Sequence, residues 1–107
     1  SSAASDVYKR QAKAMAKAAG TWVSPIGPAF RQVREGGSGI NLYYSDSKHQ
    51  SEYGAYLKAC VNYLVLFGER FGADPADCGL NPDKAAYLRS VAEQIVLGNE
   101  EDYFIER

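Results

Sequence analysis

The stretch Ser51-Glu52-Tyr53-Gly54-Ala55-Tyr56-Leu57-Lys58-Ala59-Cys60-Val61-Asn62-Tyr63-Leu64-Val65-Leu66-Phe67 most constrains what this chain can fold into. Ser51 is a strong N-cap type, since its hydroxyl can accept a bond from an unpaired backbone N–H of the first turn. Tyr56, Ala59, Cys60, Tyr63, Leu64 and Phe67 recur at helical spacing on one face. Val61, Val65 and Leu66 make further sides apolar. The pattern predicts a helix over 51–67, ended by Gly68 or Gly72 and buried between layers of other structure.

The neighbouring segments predict an αβ succession. Residues 12–19, AKAMAKAA, favour helix, and Gly20 is a natural residue just past its end. Thr21-Trp22-Val23-Ser24 is short and β-prone, stopped by Pro25, with Trp22 expected at a buried strand position. Helix, glycine, strand is a step of a parallel α/β fold. A short helix is predicted over 28–35, with Pro28 in its first turn and Ala29, Phe30 and Val33 inward. Gly36-Gly37-Ser38-Gly39 reads as a plain loop, lacking the context of a phosphate cradle. After a loop over 73–79, Asn81 caps a last helix, with Pro82 at its first position and Asp83 complementing its dipole. Tyr87, Leu88, Val91, Ala92, Ile95 and Val96 form its apolar stripe, which stops at Gly98. The tail, 99–107, is acidic, with Tyr103, Phe104 and Ile105 able to dock.

Residues 1–11, SSAASDVYKRQ, resemble over their whole length the in-frame translation of a transposase-type sequencing-library adapter. They are therefore set aside as a processing scar. The natural sequence is then expected to begin near Ala12, as the downstream end of a longer bacterial reading frame, so localisation stays unknown. One domain is the most that 107 residues allow, read here as 12–98 plus the tail. The net charge is −1, or −2 without Asp6, Lys9 and Arg10. With no basic stripe, no nucleic-acid partner is expected. No apolar run is long enough to span a membrane. Cys60 and Cys78 leave a disulfide open, and with one histidine and no Cys-x-x-Cys no metal site is expected.

That single histidine stands in Asp46-x-x-His49, just ahead of Ser51. A carboxylate three residues before an imidazole can orient and polarise it as a general base. The bland reading makes His49 a polar loop residue and Asp46 a turn former. Ser45, Ser47 and Ser51 read as turn and cap residues. None lies on the strand-to-helix elbow that a nucleophilic serine uses.

Asp46, His49, Ser51, Gly54, Tyr56, Leu57 and Ala59, followed by Tyr63 and Leu66-Phe67-Gly68, resemble the C-terminal block of the SGNH (GDSL-like) hydrolases. Val23-Ser24-Pro25-Ile26-Gly27-Pro28-Ala29-Phe30 is similar to the segment after that family's last parallel strand. Gln50 departs from the usual proline. The resemblance covers roughly 12–98. It implies an α/β fold, this chain being the C-terminal fragment of an α/β/α sandwich, mostly helical with one or two short strands. It also implies His49 as general base and Asp46 as its orienting carboxylate, in a Ser-His-Asp triad that hydrolyses a small-molecule or carbohydrate ester without cofactor. The Gly-Asp-Ser nucleophile block and the oxyanion-hole glycine and asparagine are absent, so they are expected in a missing N-terminal part of the same domain, and the chain alone is expected to be inactive. The alternative is a small helical binding or structural domain without catalysis. A fragment should leave one side of the 51–67 helix and the Trp22 segment uncovered, whereas a complete domain should bury them.

Overall fold

The computed structural model describes residues 7, 10–11, 14–15, 18–20, 22–43, 51–73 and 75–107. Three helices carry the fold: α1 (Ile26–Glu35), α2 (Glu52–Phe67) and α3 (Pro82–Val96). A 3₁₀ turn, Glu100–Tyr103, follows. Described positions between 7 and 19 are helical and exposed, and Gly20 turns left-handed at φ 67° behind them.

Each helix starts and stops for a local reason. Ser51 accepts a bond from the Gly54 N–H at 3.2 Å and opens α2. Gly68, at φ 67°, closes it by donating its N–H to the Leu64 carbonyl at 2.9 Å. A residue with a Cβ would resist that left-handed turn. Asn81 Oδ1 accepts from Asp83 and Lys84 N–H at 3.0 and 3.1 Å, and Pro82 takes the first position of α3, where no donor is missed. The start of α1 has no side-chain cap, and Pro25 precedes it.

The core is aliphatic and continuous across the three helices. α2 and α3 pack most extensively, and α1 lies against both. Leu57, Val61 and Leu64 of α2 meet Leu88, Val91, Ala92 and Val96 of α3, with Ala29, Phe30 and Val33 of α1 completing the centre. The tail docks: Tyr103 and Ile105 are buried in the same core. Arg107 donates from Nη2 to the Leu64 carbonyl at 2.6 Å and from Nε to the Val65 carbonyl at 3.0 Å, covering the C-terminal end of α2. A guanidinium there gives the Val65 carbonyl a donor, adds a second bond to the Leu64 carbonyl that the Gly68 N–H already caps, and opposes the negative end of the helix dipole.

The structure corrects the α/β expectation. It is a small helical bundle, with no strand or sheet among the described residues. The segment 22–25 forms no strand, and it turns at Pro25, where the Ile26 N–H donates to the Ser24 carbonyl at 2.8 Å. The Val23 N–H instead donates to the Tyr103 carbonyl at 2.8 Å, so the turn after α3 takes up the bond a ladder would have used. Pro25 then removes a donor and α1 begins at once. One β-prone run cannot pair with itself, and no second strand lies beside it among the described residues. Trp22 is also corrected: it is 37 % exposed rather than buried.

α2 is rotated from its expected face. Gly54, Leu57, Cys60, Val61, Leu64 and Val65 are buried, so only Cys60 and Leu64 of the predicted stripe are buried, with Tyr56 packed against the core's edge. Periodicity weighed aromatic and aliphatic residues alike, whereas the bundle selected the side richest in compact aliphatics. Nor is α2 covered on all sides. Leu66 and Phe67 are 61 % and 60 % exposed, and Tyr63 is 37 % exposed.

Candidate functional site

His49 and Asp46, with Ser45 and Ser47, lie outside the described residues. What the structure gives is the stem from which their segment springs. Chain 22–43 ends at Tyr43, and the described chain resumes at Ser51. The two ends are clasped. Ser51 N–H donates to the Leu42 carbonyl at 2.8 Å, and Ser51 Oγ donates to the Asn41 carbonyl at 2.7 Å. Asn41 Oδ1 in turn accepts from the Tyr43 N–H at 3.0 Å, a side-chain-closed turn. Leu42 is buried in the core, and Tyr43 sits edge-on to Phe30 with ring centroids 5.8 Å apart. The residues that flank 44–50, Tyr43 and Ser51, are therefore tied to α1, α2 and the core. Ser51 spends its hydroxyl as cap acceptor and clasp donor, which fits the cap role read from sequence.

A second feature is a groove along the open side of α2, lined by Gly20, Trp22, Ser24, Asn62, Val65 and Leu66. Its floor holds one polar pair, the Ser24 hydroxyl donating to Asn62 Oδ1 at 2.6 Å. Beyond it Tyr63 packs on Phe67 and stacks on Phe71, with centroids 5.1 and 5.2 Å apart.

A third feature joins α2, α3 and the connector between them. Arg89 Nη1 donates to Asp77 Oδ1 at 2.7 Å and to the Tyr56 hydroxyl at 2.8 Å. That hydroxyl donates to the Ala76 carbonyl at 2.6 Å. Arg89 is little exposed, and its two hydrogen bonds hold it more firmly protonated than usual. Burial pushes the Tyr56 phenol upward, against the opposing pull of Arg89. Cys60, one turn along α2, is pushed up to about 11 by burial. Sequence reading missed this cluster, because Tyr56 was read as part of the apolar stripe of its helix, Arg89 adjoins the stripe of α3, and no spacing signal links α2 to α3.

Among the described residues, no group of three or more His, Cys, Asp or Glu side chains gathers as a metal site needs, and no helix is long and apolar enough to cross a membrane. No protein-family model, curated protein or solved structure matches the chain.

Proposed function

We propose that the chain supplies the general base and its orienting carboxylate, His49 and Asp46, to a serine ester hydrolase whose nucleophile lies outside the chain. The observation that carries this reading is the clasp of Asn41 and Leu42 on Ser51. A catalytic imidazole must be held to a fraction of an ångström, and both ends of its segment are anchored to packed helices. The resemblance of 46–68 to the SGNH hydrolases supports the same roles. The reading needs the clasped segment and not a sheet within this chain. The uncovered side of α2, with Trp22 beside it, gives the rest of such an enzyme a surface to rest on.

In the proposed reaction His49 takes the serine proton as the serine oxygen attacks the ester carbonyl. It then returns that proton to the departing alcohol, leaving an acyl-serine. Water, deprotonated by the same imidazole, releases the acid. Asp46 holds the ring in the tautomer that faces the serine.

The test is hydrolysis of p-nitrophenyl acetate by the protein of the longer reading frame, beside the present chain. The chain alone should be silent. The longer protein should be active and label with a fluorophosphonate, and His49→Ala should lower its kcat about a thousandfold or more. Full activity in His49→Ala, or a longer protein without a reactive serine, would overturn the reading.

A second reading, a helical binding module without catalysis, is favoured by the continuous core shared by three helices and the tail. It expects no hydrolysis from either protein.

A further inference from the structure

Cys60 and Cys78 are both free thiols, one buried in the middle of α2 and the other exposed on the connector to α3. They belong to one cluster. Tyr56, one turn before Cys60 on α2, donates its hydroxyl to the carbonyl of Ala76, two residues before Cys78. Arg89 holds Asp77, the residue next to Cys78, from the α3 side. Asn81 N–H reaches the Tyr53 hydroxyl at 3.4 Å, so the connector is tied to α2 beyond Cys78 as well. Between these ties the turn is wound tightly. Leu80 N–H closes on the Asp77 carbonyl at 3.0 Å, and Cys78 sits at φ 55° with Gly79 at 77°. A left-handed φ is an uphill conformation for a residue with a Cβ, and such positions cluster where a segment has a second arrangement to adopt.

We propose that Cys60 and Cys78 are a disulfide-forming pair, which closes the α2–α3 connector onto the middle of α2 when a low-molecular-weight disulfide is present. The Cys78 thiolate attacks one sulfur of the small disulfide, breaking its S–S bond and expelling one small thiolate. Cys60, once deprotonated, attacks the Cys78 sulfur of the mixed disulfide and expels the second small thiolate. The two protein thiols together give up two protons and two electrons. The small disulfide takes both electrons, and its halves leave as thiols. Closing the bond fastens the Asp77–Gly79 turn to the middle of α2. The exposed thiol reacts first because it alone is accessible, and the buried one resolves.

The experiment is incubation of the chain with oxidised glutathione, followed by acid quenching, blocking of free thiols and peptide mass mapping. The expected product is a monomer with a Cys60–Cys78 cross-linked peptide and no remaining free thiol. Cys60→Ser should stop at a Cys78–glutathione adduct, and Cys78→Ser should not react. The resolving step should quicken roughly tenfold per pH unit from neutral to mildly alkaline pH, as expected for an attacking thiol that is mostly protonated there. A stable Cys78–glutathione adduct in the unaltered chain would overturn the proposal. So would a Cys78–Cys78 dimer as the main product, or a resolving rate independent of pH.

Discussion

The two sides of α2 are made of similar residues and meet opposite fates. Leu57, Val61 and Leu64 are fully buried against α1 and α3, while Leu66 and Phe67, on the same helix, remain mostly exposed. Side-chain chemistry does not separate them, since a leucine stands on both sides. The difference lies in what the chain brings to each side. α1, α3 and the docked tail cover one, and among the described residues Gly20, the short Trp22 segment and Phe71 flank the other. Burial is a property of the partner as much as of the residue, and α2 has partners on one side among the described residues.

Substitution measures this contrast most directly. Leu64→Ala should destabilise the fold by about 3 kcal/mol, the usual scale for emptying a packed leucine site. Leu66→Ala should change it by no more than roughly 0.5 kcal/mol, as expected for a surface position. Urea unfolding of the two variants checks both, and equal losses would show that the open side is covered in solution. Next in size are the caps. Asn81→Ala should cost about 1 kcal/mol, since the two N–H groups of α3 lose their acceptor. Ser51→Ala should cost about as much at its cap, and more in total, because it also opens the clasp to Asn41.

The smallest effect is on pH dependence. Below about pH 9 the Cys60 thiol is protonated in folded and unfolded chains alike, and it contributes no slope. As pH rises from 9 to about 11 the unfolded chain loses this proton while the folded one keeps it. The folded state then binds more protons, so stability must fall with rising pH. Tyr56, also raised, acts in the same direction higher up. Comparing unfolding free energies of the chain and of Cys60→Ala across this window should show a shallower decline in the variant.

Helix boundaries were the most legible part of the sequence. Ser51, Gly68, Asn81 and Pro82 each act through bonds confined to their own turn, so α2 and α3 begin, and α2 ends, where these residues place them. Ala29, Phe30 and Val33 were legible as the inner face of α1 because a ten-residue helix with few apolar positions has one way to turn. The rotation of α2 was not legible. With apolar residues on most of its circumference, its orientation depends on α1 and α3, which periodicity within α2 does not contain. The run at Trp22 was readable as β-prone but not as unpaired, because pairing is decided by residues as distant as Tyr103. Of the candidate site, the Ser51 cap was readable, whereas the clasp to Asn41 and Leu42 was not, since nothing in the spacing announces a backbone partner nine or ten residues away.

That clasp has an evolutionary corollary. Ser51 bonds to Asn41 and Leu42, so the described residues on either side of the 44–50 interval close it. Doubling the length of a closed loop adds only about 0.6 kcal/mol of closure entropy. Extra residues inserted between Tyr43 and Ser51 should therefore add little closure entropy while Asn41 and Leu42 stay bonded to Ser51, which makes this a natural point at which to lengthen the chain.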